Sequence, residues 1–467
     1  MRTLLRWEGR FTPADKAASD YVLLPFEVPP GIARLEVRYA FEGQGRPDAP
    51  SVIDLGLFDP RGTAFLEGEG FRGWSGSARA EAILTPRAAT PGYIPGPIFP
   101  GRWHVILGLY RIAPEGCPVT VVVQGAEEEG PLPHPPPPPP APFSPRPGPA
   151  WFRGDLQSHS HHSDAPGSLE DLVAAARRRG LDFLAVTEHN TVSHFPYLAA
   201  WSGPDLLLIP GEEVTTYYGH MNAWGLPRWL DFRCRTAEAL RAVIAAAHAM
   251  GALVSINHPK TDGPPWEYPL ALPVDAVEAW QGPWPLRNHE SLAFWERLLR
   301  AGRRVVAVGG SDKHQDPPGE EMPFYQVGHP TTWVYAEALT VQGILDALRA
   351  GRVVITADVE GPWLTLTAER DDTTWGVGDA VPPGGPVRVR CRVEGGEGLH
   401  LRCLSRRGEL AFVPVDRSPF EWTAVLDLGE HGYVRAELRG VRHFPEERPE
   451  DLPMVVMTNP IWGAPAP

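Results

Sequence analysis

Residues 154–164 read GDLQSHSHHSD, three histidines and two aspartates in eleven positions. Imidazole and carboxylate at this density suit a divalent cation, and a strand end running into a loop lets such groups converge. Gln157 breaks the pattern, because a neutral amide stands where a further ligand is expected.

Outward from this stretch, residues 151–358 alternate apolar strands with amphipathic helices. Ser168 is placed to cap a helix through LEDLVAAARRR, with Asp171 at the capping-box position and Gly180 as a stop. FLAVT, LLLI, ALVSI, DAVEAW, RVVAVG and RVVIT read as strands, with TAEALRAVIAAAHAM, ESLAFWERLLRAG and TVQGILDALRAG as helices among them. Repeated strand–helix units predict a parallel sheet, and about seven of them predict a barrel. Five strand ends carry candidate ligands: DLQSHSHHSD, TEHNT, PGEEVTTYYGHMN, INHPK and GGSDKH. In a parallel barrel all C-terminal strand ends open on one face, so ligands spread over about 160 residues converge. Mixed imidazole and carboxylate donors suit zinc, manganese or iron. His194, His248 and His329 stand apart from these clusters and read as structural.

Only three of the 43 basic residues are lysine. Lys260 follows His258 by two positions, and Lys313 lies between Asp312 and His314. A compact ammonium that holds an oxyanion, or gives up a proton when desolvated, is the role this placement suggests. Asn190, Asn222 and Asn257 are likewise within two residues of a candidate ligand. Lys260, Lys313 and Asn190 are therefore taken as catalytic or substrate-binding residues.

The flanks differ. Residues 1–126 and 359–467 consist of short alternating runs between Gly/Pro turns, as in β-sandwich domains, with no chemical cluster. Residues 127–150 hold twelve prolines between positions 130 and 150 and read as an extended spacer of roughly 60 Å. The net charge of −14 disfavours long nucleic acid as a partner. No apolar run reaches membrane-spanning length and no leader pattern is evident, so the chain is expected to be soluble and cytoplasmic. Cys117, Cys234, Cys391 and Cys403 lack metal-ligand spacing; Cys391 and Cys403 could meet across a hairpin, but unpaired core thiols are the expectation.

The ordered motifs DLQSHSHHSDA, TEHNT, PGEE, GH, NHP and GSDKH resemble those of the PHP (polymerase and histidinol phosphatase) superfamily. Its usual forms are D-L-H-x-H-T-x-x-S-D-G, T-D-H-N/D-T, P-G-x-E, a lone His, N-H-P and G-S-D-x-H. The resemblance covers residues 151–358, and the flanking β-domains and the closing MTNPIW are similar to its carbaryl hydrolase branch. It implies a distorted (β/α)7 TIM-like barrel holding two or three divalent metals (Zn, Mn or Fe). Position by position, one metal is implied at Gln157, His159, Glu213 and Asp312. A second is implied at Glu213, His220 and His258, and a third at Asp164, His189 and His314. Three positions depart from the pattern: Gln157 for histidine, Glu188 for aspartate and Ala165 for glycine. The Gln157 site is expected to be the weakest, with His161 and His162 in a loop.

These readings predict a metal-dependent hydrolase acting on a small-molecule phosphoester. Carbamate or carboxylic ester hydrolysis is the alternative, with Trp224, Trp266, Trp280 and Trp284 as an aromatic pocket. A metal-depleted binding or structural module is the non-enzymatic alternative.

Overall fold

The computed structural model describes residues 1–46, 48–140, 143–261, 263–441 and 447–464. The protein is mixed α/β, with sheet predominating. Residues 2–126 form two four-stranded sheets. One runs in the order Arg2–Phe11, Cys117–Ala126, Arg34–Phe41, Glu81–Leu84; the other is Tyr21–Val28, Gly101–Arg111, Val52–Phe58, Phe71–Gly76. Alternation puts Cys117, Val119, Val121 and Val123 on the buried face of one strand, and these pack with Leu55, Leu57, Val105 and Leu107 of the opposite sheet.

The central part of the chain builds a sheet that contains the six expected strands, but also Arg146–Asp155, Gly219–Trp224 and Thr331–Leu339, which are not among them, and it departs from the expected directions and closure. Phe183–His189 pairs in parallel with Leu207–Thr216, and Ala276–Gln281 pairs in parallel with both Leu253–Ile256 and Val306–Gly310. Gly219–Trp224 is antiparallel to both its neighbours, because Thr216–Gly219 is a tight turn in which Thr216 Oγ1 donates to the Gly219 carbonyl at 2.8 Å. Thr331–Leu339 is also antiparallel to both its neighbours, Arg146–Asp155 and Val353–Thr356. The ladder does not close on itself, which corrects the expected barrel. It begins at Val306–Gly310 and runs on past Val353–Thr356 into C-terminal strands, making fifteen strands in all.

Side chains bridge the open seam. Thr332 Oγ1 accepts from Gly309 N at 2.9 Å, and Asn459 spans Ala307 with two bonds of 2.8 Å. Asn459 N also donates to the Val353 carbonyl, so one amide joins strands that share no ladder. The helices are capped as their sequences predict: Ser168 and Asp171 form the reciprocal capping box, and Thr236 and Thr340 cap Ala237–Ala249 and Val341–Arg349.

The C-terminal strands Met454–Thr458, Tyr433–Arg439, His400–Ser405 and Gly408–Pro414 continue the central sheet. A separate sheet of Thr373–Trp375, Trp363–Arg370, Val387–Glu394 and Phe420–Leu426 covers them, burying Leu366, Val389, Leu401 and Val434 between the two. The proline-rich segment is not an open spacer. Arg34 donates to the carbonyls of Glu129 and Pro131, and Tyr197 donates to Pro135 O at 2.8 Å. Ala141 and Pro142 lie outside the described residues. No helix among the described residues is long and apolar enough to cross a membrane.

Candidate metal centre

Strand register brings the ligand candidates to one place. Ser158–His159 pairs in parallel with Lys313–His314, so His159 stands beside His314. Adjacent strands place His189 opposite Glu213, while the tight turn returns His220 opposite Thr215. His220 thus begins an antiparallel strand instead of ending a parallel one, yet arrives at the same edge.

Three donor groups result: His159, Glu213 and Asp312; Glu213, His220 and His258; and His159, His189 and His314. Each keeps one ligand atom per residue within 4.8 Å of the others. Glu213 belongs to two groups, with Oε1 at 3.2 Å from His220 Nδ1 and 3.3 Å from His258 Nε2, and Oε2 at 3.4 Å from His159 Nε2. Asp164 Oδ1 lies 3.1 Å from His314 Nε2 and 3.5 Å from His189 Nε2, completing the third set.

Several of these atoms sit close without bonding. Glu213 Oε2 and His220 Nδ1 are buried and have no aligned hydrogen bond, although each lies near an opposite partner. His189 Nε2 and His314 Nε2, by contrast, are within hydrogen-bond distance of each other at 3.3 Å. Buried lone pairs converging on shared points fit a divalent cation better than they fit one another.

Charge follows the same geometry. Burial opposes protonation of His189, but Asp164 and Glu213 raise it to about 9; burial likewise opposes it at His314, where Asp164 and Asp312 raise it to about 10. His159, equally buried, is depressed to about 4 by burial and by its neighbours His189 and His314. Burial pushes the Glu213 carboxyl up, but His189 and His220 hold it well below the usual range.

Surrounding groups fix ring orientation. His314 Nδ1 lies 3.1 Å from the Asp312 carbonyl and His189 Nδ1 lies 2.6 Å from Thr215 Oγ1, so both Nε2 atoms face the cleft. Asn190, with φ of 54°, accepts from Thr215 N at 2.7 Å and donates to Thr215 O at 2.9 Å, tying two strand ends together. Its side chain lines the cleft while doing so.

Gln157 is fully buried, and its Nε2 donates to Glu213 Oε1 at 3.0 Å and Asp312 Oδ1 at 3.1 Å. Its Oε1 is buried without a partner. The amide nitrogen, a donor, therefore faces the carboxylates of the first group. Glu188 accepts from Ser160 N at 3.0 Å and from the Ser163 hydroxyl, bracing the SHHS loop from beneath. His161 and His162 face His134 of the proline-rich segment, outside the donor groups.

The two lysines do not line the cleft. Lys313 Nζ pairs with Asp316 and lies over the Tyr325 ring, on the opposite face of the strand from His314. Lys260 Nζ donates to Gln281 Oε1 at 2.5 Å and to Leu286 O at 2.6 Å. Gln281 Nε2 in turn donates to Asp312 Oδ2 at 2.7 Å, so Lys260 touches the centre through one intermediary.

The cleft encloses about 570 Å³. Its floor carries Asp164, His189, His220, His258, Asp312 and His314, and its opposite wall comes from the N-terminal sandwich: Val52, Asp54, Trp74, Gly76, Ser77 and Tyr110. No lysine or arginine is among the described lining residues. The expected tryptophan pocket is absent from that lining: Trp224 and Trp280 are buried, with indole nitrogens on Leu156 O and Gly282 O. Trp266 packs on Tyr268, and Trp284 packs between Trp280 and Arg439. Trp74, Tyr110 and Tyr217 are the aromatics that line the cleft.

Sequence reading also missed three organising residues. Asp155, buried, accepts from Ser311 N, Gln157 N and Gly328 N. Glu278 accepts from His258 N at 2.8 Å, holding that residue at φ of 30°. Tyr325 donates to the Asp312 carbonyl at 2.6 Å. The aspartate that opens DLQSH was the only signal for any of these.

No family model and no protein of curated function matches this chain. Among solved structures it is similar to a two-domain protein from Bacteroides vulgatus ATCC 8482 containing a predicted PHP-like metal-dependent phosphoesterase, at 17% identity and a TM-score of 0.36, over 67% of this chain and 95% of the other.

Proposed function

We propose that this protein is a metal-dependent hydrolase that cleaves a small phosphoester. The carrying observation is the chain of three donor groups linked through Glu213 and His159 at the floor of a cleft. Its support from sequence is the ordered PHP-like motif set, whose ligand positions are the residues gathered here. Divalent metals in such a cluster supply Lewis-acid charge and acidify water. The chain's own part is orientation. Glu213 offers one oxygen to each side, Asp312 and Thr215 fix the tautomers that turn His314 and His189 toward the cleft, and Gln281 keeps Asp312 aligned.

With Lys260 and Lys313 turned away, no lysine or arginine among the described lining residues is offered to an oxyanion. A substrate of low charge with an aromatic part suits Trp74, Tyr110 and Tyr217, which favours carbamate or carboxylic ester hydrolysis as the second reading. The test is metal content per chain after reconstitution with manganese or zinc, then turnover of bis-p-nitrophenyl phosphate, p-nitrophenyl phosphate and 1-naphthyl N-methylcarbamate. Phosphate ester turnover dependent on metal is expected. Carbamate turnover alone would select the second reading, and less than one metal per chain would sink both.

A further inference from the structure

Four cysteines occur in 467 residues, and two of them meet. Cys391 and Cys403 are fully buried, with their Sγ atoms 3.4 Å apart. They do not share the hairpin that their spacing suggests. Cys391 lies on Val387–Glu394, the middle strand between Trp363–Arg370 and Phe420–Leu426. Cys403 lies on His400–Ser405, between Gly408–Pro414 and Tyr433–Arg439 in the continuation of the central sheet. The pair therefore spans the interior of the C-terminal sandwich from one sheet to the other. Cys117 and Cys234 are each buried elsewhere, in the N-terminal core and the central core.

Packing alone gives no reason for two thiols here. The neighbouring core positions are Leu366, Val389, Val393, Leu401 and Ala436, all plain hydrocarbon. A thiol–thiol contact contributes little, because S–H is a weak donor and sulfur a weak acceptor. Closure to a bond of about 2.05 Å needs the two sulfurs to approach by little more than an ångström, within reach of side-chain adjustment on facing strands.

We propose that Cys391 and Cys403 form a disulfide that ties the two sheets of the C-terminal sandwich together. The co-reactant is a small-molecule disulfide such as oxidised glutathione. One cysteine thiolate attacks it, forming a mixed disulfide and releasing one glutathione. The second cysteine then attacks the mixed disulfide at the protein sulfur, releasing the other glutathione. Two protein thiols are oxidised, one disulfide is reduced, and the two thiol protons leave on the two glutathiones. Burial confines the exchange to the partly folded chain or to openings of the sandwich, and afterwards shields the bond from reductant. The bridge joins interior strands of the two sheets, as the inter-sheet disulfide of immunoglobulin domains does.

The test uses the full-length protein, reduced and then incubated with oxidised glutathione. Denaturation, alkylation and mass spectrometry should show a loss of about 2 Da and one cross-linked peptide pair containing positions 391 and 403. Cys117→Ser should leave that cross-link unchanged, and Cys391→Ser should abolish it. The oxidised form should melt at least about 3 °C higher than the reduced form. Four alkylated thiols after oxidation, glutathione adducts without the 391–403 peptide, or an oxidised form no more stable than the reduced one would each overturn the proposal. Because the wild-type chain is read directly, a serine variant that fails to fold does not remove the test.

Discussion

The floor of the cleft and its opposite wall line the same space, but they enter the sequence in different ways. The floor is drawn from strand ends, and five of its candidate ligands sit beside a short apolar run that announces them: LAVTEH, LLLIPGEE, LVSINH and VAVGGSDKH. The wall is drawn from Val52–Phe58, Phe71–Gly76 and Gly101–Arg111, strands buried along most of their length whose sequence says nothing of what they face. Among the contacts that join the two, alongside the Phe71–Trp229 stack and the Ser193–Gly92 bond, is a plug. Tyr217, at the tip of the turn that delivers His220, enters the N-terminal sheet where Gly108 has no side chain; a Cβ there would lie 2.1 Å from the Tyr217 hydroxyl. That hydroxyl donates to Asp54 at 2.6 Å, and the ring stacks on Tyr21 at 5.5 Å. Local pattern is therefore enough to find a cluster of candidate ligands, whereas a wall depends on docking between distant segments.

If the floor is a metal centre, its variants should scale with their distance from the donor atoms. His258→Ala removes a ligand outright. Metal charge contributes several kcal/mol to such reactions, so turnover should fall about a thousandfold while circular dichroism stays unchanged. Activity within tenfold of wild type would break the assignment of floor and wall alike.

Lys260→Met comes next. The sequence suggests that this ammonium meets substrate; the structure places it against Gln281, whose amide then meets Asp312. Loss of such outer support weakens metal binding by about 10–100-fold, read with a competing chelator. A substrate-binding lysine would instead raise KM and leave metal affinity alone. The two outcomes separate a residue of the floor's foundation from a residue of the cleft.

Gln157→His should act in the opposite direction and more weakly. Replacing an amide donor that faces Glu213 and Asp312 by an imidazole should tighten the weakest metal by about tenfold and raise metal content at limiting supply. Unchanged stoichiometry would mean that the amide already serves as a competent ligand.

How far the sequence carries is clear from these residues. The capping box of Ser168 and Asp171, six of the central strands and the eight candidate ligand residues gathered at the cleft were legible, because each is marked by neighbours within a few positions. The antiparallel return of Gly219–Trp224, the open seam and the roles of Lys260, Glu278 and Asp54 were not. Each is decided by which backbone or side chain lies across a gap, and hydrophobic periodicity is blind to that. The seam is the sharpest case: strand count suggested closure, but Thr332 and Asn459 do with side chains what a ladder would have done.

The smallest effect on metal, namely none, is expected at Asp54→Asn, which is where the wall can be tested by itself. Burial raises the Asp54 carboxyl to about 6, against smaller lowering contributions from the Tyr217 hydroxyl and Lys16. A carboxyl with a folded-state value above its unfolded one favours the folded state when protonated. That stability is fully present below about pH 4 and is lost as pH rises through about 6. At neutral pH the ionised, buried Asp54 therefore costs on the order of 3 kcal/mol. Asparagine can still accept from Tyr217 and carries no charge, so the variant should gain stability over wild type as pH rises from 4 to 7, with no gain below pH 4. Thermal melts across that range, with metal content measured in parallel, check both halves. A stability gain at neutral pH with metal content intact would show that the wall carries a carboxylate the fold does not need. A variant that is less stable at every pH would show that Asp54 serves mainly to hold the Tyr217 plug, and that wall and floor are one structural unit.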